Sequence, residues 1–274
     1  MPELPEVETI RLGLARVLPG KTVERVEVRF AGAVAAPGRE HFERCLPGRM
    51  FTGTGRRGKY LLCCLDDQSV LAVHLRMTGK LIYSEGGLVA DRHTHVVFSL
   101  GAETYLSFHD IRKFGRLWWL PGERVKEISG LTSLGPEPLS AQFDLAYLAG
   151  RLQKRSTSIK AVLLDQGFVA GLGNIYSDEI LHRSGLLPAR RADSLTAEEM
   201  KALLSAVRAV LTEAIAWRGT TFSDYRDAAG HAGGFQDRLS VYRRHNQPCL
   251  TCGTVINRTA TAGRGTHFCP VCQR

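Results

Sequence analysis

The chain has 274 residues, 36 lysines and arginines against 27 acidic residues, a formal charge of +9 and a pI near 9.4. Its length suits two ordinary domains, and a hydrophobic content of 44% fills their cores. No apolar run approaches ~20 residues and no basic-then-hydrophobic leader opens the chain, which argues against a membrane protein and for a soluble, cytoplasmic one whose basic surplus suits a nucleic acid.

The first nine residues, Met1-Pro2-Glu3-Leu4-Pro5-Glu6-Val7-Glu8-Thr9, crowd two prolines and three glutamates ahead of a helical pattern. Val7, Ile10, Leu14, Val17 and Leu18 recur at helical spacing, and Pro19-Gly20 supplies the stop. Pro5 suits a first helical turn, and acidic residues suit the positive end of the helix dipole. A plain helix start accounts for that much. A second reading turns on Pro2, which sits behind an initiator methionine whose removal is expected. The terminal amine then titrates near ~8, against ~10.4 for a lysine, so far more of it is an uncharged nucleophile at neutral pH. Amines attack carbonyl-like carbons to give Schiff bases, and Glu3 and Glu6 are placed to move the protons.

Beyond the helix the period becomes alternating. Val26, Val28 and Phe30 mark a half-buried strand, followed by strand-like runs over 59–65, 69–75, 80–83, 95–100, 104–108 and 116–120. One helix followed by many short strands reads as an N-terminal β-sandwich or barrel. Leu134-Gly135-Pro136-Glu137-Pro138 is a stiff boundary. After it the pattern is helical, with short helices over 143–152, 159–166 and 174–182 and a long one from Thr196, opened by a capping box with Glu199. The glycine-bearing stretch 219–235 has no sustained period and reads as a long mobile loop.

The tail carries the strongest local signal. Cys249-Leu250-Thr251-Cys252 and Cys269-Pro270-Val271-Cys272 are two C-x-x-C knuckles separated by sixteen residues, the spacing of one closed structural zinc site. The segment from Arg243 to Arg274 holds five arginines and no acid, and Arg264 lies between Gly263 and Gly265, suited to bring a guanidinium against a phosphate. Gly171-Leu172-Gly173 before a helix lets a turn approach a phosphate, though an ordinary turn explains it as well. The turns 74–79 and 110–115 set Met77, Arg112 and Phe114 beside glycines. By pattern alone Met77 and Phe114 are core residues; exposed, they are wedges for a base stack.

The string Pro2-Glu3-Leu4-Pro5-Glu6-Val7-Glu8, the turn pair with the 134–138 hinge, and the stretch 156–182 with the zinc knuckles together resemble the formamidopyrimidine-DNA glycosylase family, over essentially the full chain. The resemblance implies an α+β multidomain fold: an N-terminal catalytic β-sandwich with flanking helices over 1–133, a helix–two-turns–helix DNA-binding domain over 134–238 with a lesion-capping loop at 219–236, and a zinc finger over 239–274. It implies one structural zinc held by Cys249, Cys252, Cys269 and Cys272, damaged double-stranded DNA as partner, and a monomer. The implied activity is that of a bifunctional glycosylase and lyase that removes oxidised purines, 8-oxoguanine and formamidopyrimidines, and cuts the strand by β,δ-elimination. Carried over by position, Pro2 is the Schiff-base nucleophile, Glu3 the acid for the deoxyribose oxygen and Glu6 the residue that orders the site. Lys59 and Arg264 hold flanking phosphates and assist the eliminations. His74, His93, Arg155, Lys160 and Asn174 match DNA contacts, Met77, Arg112 and Phe114 the void-filling set, and Thr220, Thr221 and Tyr225 the loop over the flipped base.

There are departures: Ile111 stands where many relatives have proline, and Arg218 where a glycine commonly precedes Gly219. Two rivals remain. An endonuclease VIII-like enzyme for oxidised pyrimidines usually starts Pro-Glu-Gly-Pro, which Leu4 opposes. A non-catalytic zinc-finger DNA-binding protein fits the charge and the zinc equally well, and only the Pro2/Glu3 terminus opposes it.

Overall fold

The computed structural model describes residues Met1 to Arg274. The chain divides into two compact units, Met1–Thr132 with Trp217–Gly234, and Ser133–Ala216 with Phe235–Arg274.

The first unit opens on α1 (Leu4–Val17), whose apolar face of Leu4, Val7, Ile10 and Leu14 is buried. Glu3 is its N-cap, Pro5 falls in the first turn, and Gly20 (φ +83°) reverses the chain after it. Then come β1 (Arg25–Val28), β2 (Val34–Ala36), α2 (Arg39–Cys45), β3 (Phe51–Arg57), β4 (Tyr60–Leu65), β5 (Ser69–His74), β6 (Gly79–Ser84), β7 (Thr94–Ser99), β8 (Tyr105–Asp110), β9 (Arg116–Pro121) and the short α3 (Ser129–Thr132). They form a four-stranded sheet, β1-β7-β8-β6, and a five-stranded sheet, β2-β9-β5-β4-β3. All pairs are antiparallel except β2 with β9. Leu61, Leu71 and Val73 of one sheet share a core with Val96, Phe98, Leu106 and Phe108 of the other and with Ile10 and Leu14 of α1. Each such side chain contributes about 1.5–3 kcal/mol on burial. This is the expected sandwich.

Two elements depart from the alternating pattern. β3 lies at the edge of its sheet and reads Phe-Thr-Gly-Thr-Gly-Arg-Arg, with glycines where a central strand would carry packing side chains. Phe30 lies beyond the end of β1, its ring tilted against His95 at 5.3 Å.

The second unit holds α4 (Leu145–Leu152), α5 (Ile159–Leu164), α6 (Asn174–Arg183), α7 (Ala197–Ala216) and a hairpin of β10 (Asn257–Thr261) and β11 (Arg264–Phe268). Asp144 caps α4 by accepting from Tyr147 N–H (2.7 Å), and Ser158 caps α5 through Ala161 N–H (3.3 Å). Thr196 and Glu199 exchange the reciprocal bonds of a capping box before α7. Leu148, Ile159, Phe168, Tyr176, Ile180, Leu203, Val207 and Leu211 form the core. No helix is long and apolar enough to cross a membrane.

One boundary differs from the sequence reading. Residues Trp217–Gly234 pack with the N-terminal unit and not with the helical domain that precedes them in the chain. Tyr225 and Ala228 enter the sandwich core, and Tyr83 N–H donates to Ala228 C=O at 2.8 Å. The loop is pinned through backbone and core contacts that composition does not reveal.

Candidate functional site

At the amino terminus Pro2 is buried beside two almost fully buried carboxyl groups, Glu3 and Glu6. Both oxygens of Glu6 take backbone donors, Oε2 from Glu3 N–H and Oε1 from Thr220 N–H, each at 2.7 Å. Tyr225 Oη donates to Glu6 C=O at 3.3 Å. Gly219 (φ +75°) leaves no room for a side chain, since a Cβ there would lie 2.7 Å from Glu6 Oε1. Glu6 is thus a clasp joining the start of α1 to the neck of the 219–235 loop. Thr221 closes that neck, accepting from Gly233 N–H (2.9 Å) and donating to Tyr225 C=O (3.3 Å). Arg218, flagged by sequence as standing for glycine, has φ +59°, a left-handed conformation that costs a non-glycine residue about 1 kcal/mol.

Lys59 sits in the two-residue turn of the β3–β4 hairpin, closed by the Arg57–Tyr60 pair, with Gly58 at φ +54° in the first turn position. Arg56 donates from Nη1 to Gly58 C=O (3.1 Å) and from Nε to Glu8 Oε2 (2.8 Å), tying this turn to α1. Burial raises the Glu8 pKa, but hydrogen bonds and charge from Arg11 and Arg56 outweigh it and hold the carboxyl below its ordinary range.

His74, paired with Tyr60 across β4 and β5, meets that ring edge-on at 4.6 Å. Its Nδ1 accepts from Arg76 N–H at 3.0 Å, which leaves the proton of the neutral ring on Nε2, a donor suited to an anion. Burial, then the charges of Arg76 and Lys59, hold its pKa down to about 3. Because the folded value lies below the unfolded one, the unfolded chain takes the extra proton as pH falls through ~6.5 and stability drops. Between pH 7.5 and pH 5 the loss is expected to be about 2 kcal/mol. His74→Asn, whose Oδ1 takes the place of Nδ1, should remove most of that slope. Thermal melts of both proteins across this range check it, and equal slopes would refute it.

The turns 74–79 and 110–115 lie at one end of β6 and β8, where Gly79 pairs with Asp110. Met77 and Phe114 are 42% and 47% exposed, and Arg112 is exposed with them. The core alternative for these side chains therefore fails. Arg112 Nη1 lies 2.9 Å from Met77 Sδ, and its guanidinium sits over the Phe114 ring at 4.7 Å. His93, half-buried just before β7, accepts on Nε2 from Arg92 (3.1 Å).

In the second unit Lys160 is not a nucleic-acid contact. It is fully buried, and its Nζ donates to Asp178 Oδ1 (2.6 Å), Thr266 Oγ1 (2.7 Å) and Gly265 C=O (3.2 Å), which uses all three of its protons. Asp178 Oδ2 accepts from His267 N–H at 2.8 Å. Lys160 is a strut under the β10–β11 hairpin, and removing one partner of such a buried pair costs about 3–5 kcal/mol. In the first unit the Tyr225 side chain lies in the core, anchored on Glu6, and Thr220 is likewise buried, so what these two loop residues present at the surface is backbone and not side chain. Asn174, at the start of α6, donates from Nδ2 to Gly265 C=O (2.9 Å), and Arg155 pairs with Asp165 at 3.1 Å. Arg264 is exposed beside the hairpin turn, whose residues Ala262 and Gly263 have φ +53° and +67°.

Four sulfurs, Cys249, Cys252, Cys269 and Cys272, lie within 4.8 Å of one another, with Cys252···Cys269 at 3.5 Å and Cys249···Cys272 at 3.9 Å. Tetrahedral zinc with Zn–S of ~2.3 Å needs sulfurs ~3.8 Å apart, so the set fits the ion. Thr251 N–H and Cys272 N–H each donate to a knuckle sulfur at 3.4 Å, and His182 Nε2 lies 3.6 Å from Cys249 Sγ. The four cysteines are the ligand set of one structural zinc.

Glu8, Arg56, Asp110, Asp178 and Glu179 escaped the sequence reading. Glu179 accepts three backbone bonds, from Ser240, Val241 and Tyr242 (2.8, 3.0 and 2.8 Å), at the entry to the zinc module. Glu8 and Asp110 lie within stretches the sequence singles out, but nothing local marks their partners, and the other three belong to no periodic or motif signal.

Over residues 1–117 the chain matches the family profile described as the formamidopyrimidine-DNA glycosylase N-terminal domain. Residues 134–226 match the H2TH domain of the same family, and residues 246–274 the zinc finger found in FPG and IleRS. It is 50% identical over 258 residues to a formamidopyrimidine-DNA glycosylase of Moorella thermoacetica, covering 94% of each chain. The crystal structure of the MutM (Fpg) protein of Thermus thermophilus superposes with a TM-score of 0.89 at 43% identity, covering 99% of this chain and 98% of that one. The Lactococcus lactis Fpg, solved in complex with DNA containing an abasic site, superposes at 0.93 with 34% identity over 99% of both chains.

Proposed function

The chain belongs to the formamidopyrimidine-DNA glycosylase family, and on that premise we propose that its reaction centre is the Pro2–Glu3–Glu6 terminus, with Pro2 unmasked by loss of Met1. The protein is a glycosylase of damaged DNA with the lyase activity typical of the family. It excises oxidised purines from duplex DNA and cuts the strand by β,δ-elimination. The observation that carries the assignment of the centre is a buried proline beside two buried carboxyl groups at a chain end, one of them immobilised by two backbone donors.

The chemistry follows from an amine. The Pro2 nitrogen attacks C1′ of the damaged nucleotide, the glycosidic bond from C1′ to the base breaks, and the base leaves with that electron pair and takes the proton that the amine gives up. Glu3 delivers a proton to O4′, the ring opens and the iminium forms. Loss of a C2′ proton then expels the 3′ phosphate, a second elimination expels the 5′ phosphate, and water releases the amine. Lys59 and Arg264 hold the flanking phosphates, and neutral His74 donates from Nε2 to the backbone. Met77, Arg112 and Phe114 fill the space the flipped nucleotide leaves. Cys249, Cys252, Cys269 and Cys272 would hold the zinc, which would brace the hairpin that bears Arg264. The organisation that goes with this reading is a catalytic sandwich over 1–133, a helix–two-turns–helix domain over 134–238, whose segment Trp217–Gly234 groups with the sandwich, and a zinc finger over 239–274. We place the protein in the cytoplasm, on the nucleoid, as a monomer.

Cleavage of matched duplexes carrying 8-oxoguanine, a formamidopyrimidine or thymine glycol tests the substrate class. The expected order has both purine lesions ahead of thymine glycol. Preference for thymine glycol would favour the endonuclease VIII-like alternative, and binding without cleavage of any duplex would favour a non-catalytic DNA-binding protein.

A further inference from the structure

We propose that Asp110 is a positioning residue whose buried carboxylate braces together the two turns carrying Met77, Arg112 and Phe114, and so presets the group that enters the duplex. The proposal rests on the glycosylase reading above and assigns that function a residue the reading does not use. Asp110 is 1% exposed at the end of β8. Its Oδ1 accepts from the Thr78 hydroxyl in the first turn and from Arg112 N–H (3.1 Å) in the second. Its Oδ2 accepts from Gly115 N–H at 2.6 Å, which closes the second turn on itself. Thr78 Oγ1 also accepts from Arg112 N–H at 3.1 Å, a direct link between the turns. The Asp110 main chain is fixed as well, its N–H on His93 C=O (2.9 Å) and its C=O on His95 Nε2 (2.7 Å). Gly115 leaves the space for this, since a Cβ there would lie 2.5 Å from the Phe108 ring and 3.1 Å from Asp110 Oδ2.

The brace answers a physical problem. Exposed side chains on turns have no core to hold them, and both turns place a non-glycine residue in left-handed backbone, Arg76 at φ +53° and Lys113 at φ +58°. A wedge that had to be ordered on entering the stack would lose binding free energy to that ordering. Asp110 orders it beforehand, from below, without touching DNA.

Asp110→Asn keeps the shape but puts an NH2 where one oxygen was, so either Gly115 N–H loses its acceptor or Arg112 N–H loses one of its two. Single-turnover cleavage of an 8-oxoguanine duplex is then expected to fall roughly tenfold or more. The preference for cytosine over adenine opposite the lesion should shrink towards one. Borohydride trapping on a single-stranded abasic oligonucleotide, which has no stack to enter and no orphaned base to meet, should change less than twofold. Thr78→Ser, which keeps the hydroxyl, should hold the cytosine preference, and Thr78→Val should lose part of it. Equal losses on duplex and single strand would mean general damage to the fold and overturn the proposal, as would a variant that behaves like wild type on both. If the wild-type protein itself neither cleaves nor traps, the glycosylase reading falls and the brace with it. A variant-insensitive cytosine preference sinks the brace alone.

Discussion

Protein that retains Met1, or any residue ahead of Pro2, is expected to bind damaged duplex and to cut nothing. In that form the proline nitrogen is a tertiary amide, its lone pair delocalised into the preceding carbonyl, and it can neither attack C1′ nor become an iminium. Met1 is exposed while Pro2 is buried, so removing the methionine sacrifices little packing and opens the nitrogen in place. Once free, the amine titrates near ~8, which leaves an appreciable neutral fraction at pH 7 that a lysine near ~10.4 lacks. Mass spectrometry of each preparation gives the processed fraction, and single-turnover cleavage should track it to zero. Borohydride should trap processed protein on an abasic duplex with the adduct on the Pro2 peptide. Glu3→Gln spares the amine and removes the proton donor, so base release should stall while preformed abasic sites are still cut slowly. An adduct on Lys59, or normal cleavage by a tagged protein, would overturn the mechanism.

The legibility of this chain divides along the range of the interactions. Helix α1 and strands β4 to β9 stand out because burial on one face imposes a period, and the period is local. β3 escapes because an edge strand with Gly53 and Gly55 need not alternate. The zinc site is plain, since its ligands come as two knuckles whose spacing is itself the signal. Lys160 misleads for the opposite reason. Its position in the helical motif is local information, but the direction of its side chain is set by Asp178 and by Gly265, 105 residues away. The link from Glu6 to Thr220 spans 214 residues, and no composition announces it. Asp110 carries no signal beyond its place at the start of the 110–115 turn, because its partners are two backbone N–H groups and a hydroxyl of another turn. Arg218 is the instructive exception: a departure from glycine seen in the sequence coincides with left-handed backbone in the structure. Family resemblance supplies roles for Pro2, Glu3 and Arg264 that spacing alone leaves open.

Loss of the zinc ion is the other change expected to have a large effect. The module's own apolar core is Val241, Cys249, Ile256 and Cys269, half of it zinc ligands, and its only regular element is the two-stranded hairpin β10–β11. A lone hairpin is marginal in water, and a structural zinc contributes about 10–16 kcal/mol of apparent binding free energy to such modules. Cys252 is the exposed ligand, so Cys252→Ser removes a metal bond with little loss of packing. The variant should bind less than one zinc per chain and lose the order of the hairpin. Lys160 and Asp178 would still neutralise each other, but the bonds from Lys160 and Asn174 to Gly265 would go. Arg264 would then hang on a mobile chain. DNA affinity should fall by roughly a hundredfold, with a shallower dependence on salt because fewer phosphates are neutralised. The sandwich, whose core shares nothing with these residues, should keep its melting transition. Metal analysis of the wild-type protein that finds no zinc, or a zinc-free Cys252→Ser protein that binds duplex with wild-type affinity and salt slope, would show that something other than the metal holds the arginine in place.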